Sequence, residues 1–158
     1  MLRRSTVESR YGTLSQREFR AVVRFHRALL EMEKNGIPVN KEMLDKCEQV
    51  AEGAGRKKEV TTIQALNRRT KNGRIYPKYD MFKSSGRSFI YQEYPNIPPT
   101  LPPTIFSIPE NSVPVYLSKE DPISSIEDAV FLLDEDYVMG PMVGSSIYFY
   151  PKTSEVSA

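Results

Sequence analysis

The sequence predicts an α+β fold: a basic three-helix unit with a β-hairpin, a Pro-rich extended strap, and a small acidic α/β tail. Three observations carry that reading. Residues 15–71 place apolar side chains at helical spacing between recognisable caps. Residues 74–94 switch to β-prone residues around a Ser/Gly turn. Seven of the twelve prolines fall within residues 95–114. With 158 residues, 39% hydrophobic and 27% charged, the chain has the size of one ordinary domain, or of a small domain with a long appendage.

Residues 1–14 are polar and basic, and are expected to form an arm. They lack the apolar middle of a secretory signal, although Arg3, Arg4 and Arg10 with few acids faintly resemble a transit peptide. Ser15-Gln16-Arg17-Glu18 has the form of a capping box, in which a hydroxyl and a carboxylate satisfy free amides at a helix start. Behind it Phe19, Val22, Val23, His26, Leu29 and Leu30 form one helical apolar face, and Asn35-Gly36 ends the helix. Asn40 caps a second helix carrying Met43, Leu44, Cys47 and Val50, which Gly53 and Gly55 stop. A third helix is expected over residues 59–71, with Val60, Ile63 and Leu66 inward.

Residues 74–94 predict a hairpin around Ser84-Ser85-Gly86-Arg87, with Pro77 confining its first strand to an edge. In residues 95–112 the prolines alternate with Ile97, Leu101, Ile105, Phe106 and Ile108, so this segment is expected to lay apolar side chains on a protein partner. Residues 113–158 predict a strand over Val113–Leu117, an acidic helix with a capping box from Ser124 to Glu127, and a final strand over Ser146–Tyr150. The inner stripe of that helix is Ile126, Ala129, Val130 and Leu133.

The formal net charge of +2 hides a division. Residues 1–90 carry +10 and residues 91–158 carry −8. A basic half attracts polyanions, while an acidic half suits a basic partner or the other half of the same chain. The single Cys47 excludes an internal disulfide and a cysteine-based zinc site, and fits a reducing intracellular compartment, such as a nucleoid or the inside of a virion. No run is long and apolar enough to span a bilayer, so no membrane partner is expected.

Arg17, Arg20, Arg24 and Arg27 are spaced along one side of the first helix, where they would neutralise a run of phosphates. On the third helix Thr61, Thr62, Gln64, Asn67 and Arg68 carry the donors and acceptors that base edges require. Around them Arg56, Lys57, Lys58, Arg69, Lys71, Arg74 and Lys78 would hold phosphates, and Arg87 would extend from the hairpin tip. His26 and Cys47 lie on inward stripes and are expected to pack rather than react. Glu127, Asp128, Asp134, Glu135 and Asp136 are expected to form an acidic surface. No glycine loop suited to cradling a phosphate is present.

Two resemblances cross these residues. Three helices followed by a basic hairpin, with Thr61-Thr62-Ile63-Gln64-Ala65-Leu66 running on to Gly73-Arg74-Ile75, resemble winged-helix DNA-binding domains. That likeness implies a third helix in the major groove and a hairpin tip on the backbone. Over residues 30–99, Leu30-Glu31-Met32-Glu33-Lys34-Asn35-Gly36-Ile37-Pro38-Val39, Gly73-Arg74-Ile75-Tyr76-Pro77, Ser85-Gly86-Arg87-Ser88 and Pro95-Asn96-Ile97-Pro98 resemble the thumb and palm entrance of family A DNA polymerases. The resemblance implies a minor-groove role for Arg87 at a primer end. Nothing after residue 99 resembles the motifs that hold that family's two metal-binding aspartates, and polymerisation needs such carboxylates to hold Mg²⁺.

The expected function is therefore non-catalytic binding of nucleic acid, duplex DNA first, in regulation or replication, with no cofactor and no metal. The alternative is a structural or interaction subunit of a large assembly such as a virion or ribonucleoprotein particle. The sequence leaves homo-oligomerisation open.

Overall fold

A computed structural model describes residues 2–83 and 89–152. The fold is mixed α+β, with five α-helices and three small antiparallel sheets among the described residues. The predicted arm is instead a short helix, α1 (Arg4–Tyr11), whose Val7 is fully buried together with Leu14 just beyond it. Arg10 fastens it by donating to the Phe89 carbonyl at 2.9 Å, and the Tyr11 hydroxyl donates to the Met81 carbonyl.

Helix α2 (Gln16–Asn35) begins at the predicted capping box. The Glu18 amide donates to Ser15 Oγ at 3.1 Å, and the Ser15 amide to Glu18 Oε1 at 2.8 Å. Its buried stripe is Ala21, Val22, Phe25, Ala28, Leu29 and Met32, which is rotated from the expected face and leaves Leu30 in solvent. Strand β1 (Ile37–Pro38) follows and pairs with β2 (Arg74–Ile75). Helix α3 (Lys41–Gly53), capped by Asn40, buries Leu44 and Ala51 and exposes Val50. Helix α4 (Lys57–Arg69) packs on α3 through Ile63 and Leu66, beginning and ending two residues before the expected bounds.

Strand β3 (Lys78–Asp80) pairs with β4 (Tyr91–Tyr94) as the predicted hairpin, although the tip around Ser85, Gly86 and Arg87 lies outside the described residues. The segment expected as an extended strap, residues 95–112, follows and includes a 3₁₀ turn over Pro103–Ile105. Its apolar residues are not offered to a partner: Ile97, Leu101, Ile105 and Phe106 are buried in the chain's own core. Backbone bonds hold it there. The Asn40 amide donates to the Ile105 carbonyl at 2.8 Å, Ser107 to Pro38 at 2.8 Å, and Gly144 to Ile97 at 2.7 Å. Prolines bring no amide to satisfy, so this segment can run along other elements at little hydrogen-bonding cost.

The C-terminal part is a sheet of order β5-β7-β6, with β5 (Val113–Tyr116), β6 (Tyr137–Val143) and β7 (Ser146–Pro151), packed on helix α5 (Pro122–Asp134). The helix is not capped at Ser124. Asp121 accepts from the Ser124 amide at 3.2 Å, and Pro122 takes the first helical position, which needs no amide. Strand β6 is absent from the sequence reading because Gly140-Pro141 interrupts it. A shift in register between Met139 and Met142 absorbs both residues. Gly140 is required there, since a Cβ would meet the Tyr148 carbonyl oxygen at 2.6 Å. One apolar cluster runs from Val7 to Phe149, so arm, helices, strap and tail share a single core. Among the described residues, no helix is long and apolar enough to cross a membrane.

Candidate nucleic-acid interface

The packing of α5 against α2 decides the fate of the arginine ladder. Arg17 Nη2 lies 3.5 Å from Glu127 Oε2, and Arg24 Nε lies 3.7 Å from Asp134 Oδ1. The ladder expected to face phosphates is thus interleaved with carboxylates of the acidic tail. Arg20 and Arg27 are exposed and form no ion pair among the described residues. Exposed pairs of this kind contribute about 0–1 kcal/mol each. Their larger effect is to cancel the local positive potential.

The base-reading set on α4 is also engaged. Gln64 Nε2 donates to Glu48 Oε2 at 3.4 Å, and Lys41 Nζ donates to Asn67 Oδ1 at 3.0 Å, so both amide side chains are tied to α3. Thr61 and Thr62 donate to the carbonyls of Lys57 and Lys58 in their own helix. Reading a base edge would require breaking these bonds. At the start of α4, Arg56 pairs with Glu59 at 3.7 Å, while Lys57 and Lys58 remain exposed. From Lys57 to Arg69 the helix rises about 18 Å, so the cations of its two ends do not form one cluster. Arg74 serves the fold: its guanidinium donates to the carbonyls of Asn35 at 3.4 Å and Gly36 at 3.3 Å, where α2 ends.

The cations that do converge lie at the other end of α4. Arg68, Arg69, Lys71 and Lys78 line a cleft of about 410 Å³ together with Tyr76, Tyr94 and a single carboxylate, Glu93. The Arg69 guanidinium sits over the Tyr94 ring, 4.1 Å from its centroid. A cation on an aromatic face is attracted by the ring's quadrupole, and this contact fixes where Arg69 presents its remaining donors. Burial pushes the Tyr94 phenol up from its ordinary pKa, so it stays neutral beside that charge. Tyr76 is 43% exposed and rests against Gly36, where an added Cβ would fall 2.9 Å from Tyr76 Cε1.

Tyr76, Tyr94 and Glu93 escaped the sequence reading, yet a signal was available. Each tyrosine directly precedes a proline, Pro77 and Pro95. A residue before proline is held in the extended region, which fixes the backbone from which each ring projects. Among the described residues, no three His, Cys, Asp or Glu side chains gather closely enough to hold a metal ion. His26 is half-buried beside the Phe82 ring at 5.7 Å, and burial lowers its pKa. Burial raises the pKa of Cys47, which is half-buried on α3.

A second concavity lies on the acidic side. Pro114, Val115 and Tyr116 of β5 and Asp121, Asp128, Phe131 and Leu132 at α5 line a groove of about 580 Å³. Phe131 is 66% and Tyr116 64% exposed, the two most exposed large apolar side chains among the described residues. No family model, curated protein or solved structure matches the chain.

Proposed function

We propose that this chain is a non-catalytic nucleic-acid-binding protein acting in regulation or replication, and that it binds through the cleft at the end of α4. The observation that carries the reading is the gathering of Arg68, Arg69, Lys71 and Lys78 around one concavity that holds a single carboxylate. The needs of the fold do not account for all four cations. Arg68 and Arg69 complement the negative end of the α4 dipole, but Lys71 and Lys78 lie beyond the helix. None of the four forms an ion pair within 4 Å among the described residues, although Lys78 also attracts the Glu33 carboxylate. In this reading the β3–β4 hairpin flanks the ligand as a wing would, and the end of α4 rather than its middle faces the polyanion. The local likeness to the thumb and palm entrance of family A polymerases points the same way, since its Gly73-Arg74-Ile75-Tyr76-Pro77 segment contributes Tyr76 to the cleft.

Because phosphate contacts release condensed counterions, affinity for duplex DNA should fall with salt at a log–log slope of about −0.9 for each phosphate neutralised. Four contacts would give a slope of about −3.6 by that rule, and Arg68→Ala/Arg69→Ala should reduce its size by about 1.8. A titration from low to physiological salt measures both. Affinity indifferent to salt would overturn the proposal.

The second reading, an interaction subunit of a larger assembly, is favoured by one observation: Phe131 and Tyr116 share an exposed groove rimmed by Asp121 and Asp128. Sizing of the isolated chain tests it, and a monomer at all concentrations would count against self-assembly through this face.

A further inference from the structure

Resting on that reading, we infer that the cleft takes an unpaired nucleotide of a single strand, its base stacked on Tyr76 and its phosphates held by Arg68, Arg69, Lys71 and Lys78.

Four features of the cleft argue for a single strand over a duplex. First, the two rings differ in availability. The Tyr94 face is occupied by the Arg69 guanidinium at 4.1 Å, whereas Tyr76 remains 43% exposed and no cation–ring contact covers it among the described residues. A base within a duplex has both faces covered by its neighbours, so only an unpaired base can use such a ring. Second, Tyr76 packs against the backbone of Gly36. Gly36 lies so close that a Cβ would fall 2.9 Å from Cε1 and 3.0 Å from Cδ1. A ring already held by protein loses little freedom when a base stacks on it, which is the condition under which stacking adds affinity.

Third, the cleft of about 410 Å³ falls within the range of concavities that enclose small-molecule-sized groups, roughly 300–1,000 Å³. That leaves room for one nucleotide. Fourth, the polar chemistry is divided. The cations offer donors to phosphate, and Arg69, steadied on Tyr94, keeps a planar edge for bidentate contact. Glu93 offers an acceptor, which repels phosphate but suits an N–H donor on the edge of a base, such as thymine N3–H. Engagement of Gln64 and Asn67 with α3 takes up the two amide side chains that would read a duplex groove. What remains, stacking plus phosphate neutralisation, is the combination by which single strands are held with little sequence preference.

The test compares a short oligothymidylate strand with a DNA duplex of the same length by fluorescence anisotropy, for the parent chain, Tyr76→Leu, Tyr76→Phe and Arg68→Ala/Arg69→Ala. The expected result has three parts. The strand binds more tightly than the duplex at physiological salt. Tyr76→Leu loses about 5- to 150-fold for the strand, the range that base–aromatic stacking supplies, with its salt slope unchanged, while Tyr76→Phe retains the affinity. The double arginine variant flattens the salt slope for both ligands. Heparin, a polyanion without bases, should bind with no dependence on Tyr76. Should Tyr76→Leu fail to fold, photo-crosslinking of a bromouracil-substituted strand to the parent chain replaces it, with a crosslink expected on the tryptic peptide containing Tyr76. Equal binding of strand and duplex with Tyr76→Leu neutral, or crosslinks only elsewhere, would overturn the inference and leave the cleft a simple phosphate site. Absence of salt-dependent binding to either ligand would overturn the nucleic-acid reading itself.

Discussion

Gly36 lies against the ring of Tyr76, with φ at +74°; a Cβ placed there would meet Tyr76 Cε1 at 2.9 Å and the Ile75 carbonyl oxygen at 2.8 Å. The residue that ends α2 therefore also packs against the cleft's exposed ring. Helix termination and site geometry depend on the same missing side chain. Gly36→Ala combines a strained left-handed backbone with two contacts that cannot be kept. The expected cost is about 1–3 kcal/mol of stability, measured by urea denaturation, together with weaker single-strand binding as Tyr76 is pushed aside. An alanine variant as stable as the parent would show that the chain relaxes freely around this position.

The arginines of α2 and those at the end of α4 should separate cleanly in their effects. Arg17 and Arg24 face Glu127 and Asp134, so Arg17→Ala/Arg24→Ala should leave the salt slope of DNA binding unchanged. It should lower stability by less than about 1 kcal/mol per exposed pair. The same titration used for the cleft variants checks it, and a slope reduced by the α2 variant would relocate the binding surface to that helix.

Phe106 offers a test of the strap as core. It is 2% exposed and paired in an isolated bridge with Val39. Truncation to alanine should cost about 3–5 kcal/mol, read from the denaturation midpoint. A partner-facing residue would instead leave the isolated chain's stability almost unchanged.

Glu33 provides a pH signature. Burial raises its pKa above 4.5, with Asp80 and Glu93 pushing the same way against the Tyr79 backbone amide and Lys78. Between 4.5 and the raised folded value the native state holds more protons than the unfolded chain, so stability falls as pH rises through that window. Glu33→Gln removes the ionisation. It should be more stable than the parent above the window and hold no such advantage below it. Denaturation midpoints collected across pH 4.5 decide this, and a variant less stable at neutral pH would assign Glu33 an attractive rather than a desolvated role.

Local signals in the sequence carried over to the structure where short-range chemistry decides the outcome. The Ser15–Glu18 box and the Asn40 cap form as their spacing demands. Ile63 and Leu66 of α4, and Ile126, Ala129 and Leu133 of α5, point inward. The failures share a cause, which is tertiary packing that no local pattern encodes. Leu30 and Val50 looked inward by periodicity, but among the described residues no element covers their side of α2 or α3, and they end in solvent. Residues 1–14 looked like an arm because few apolar residues mark them, and their anchors, Val7, Leu14, Arg10 and Tyr11, all meet distant segments. The site was half legible. Arg68, Arg69, Lys71 and Lys78 were identified from charge, whereas splitting them from Arg17 and Arg24 required knowing that α5 docks on α2.

The seams along residues 95–108 bear on how this chain can be dissected. The amides of Asn40, Ser107 and Gly144 and the carbonyls of Ile105, Pro38 and Ile97 stitch the strap to segments on either side of it. A fragment stopping before Pro95 would keep every positively charged group of the cleft yet lose the girdle against which β1 and α3 are seated. The cation-rich portion is thus not a portable module, and it must be inherited, expressed and purified together with its acidic counterpart.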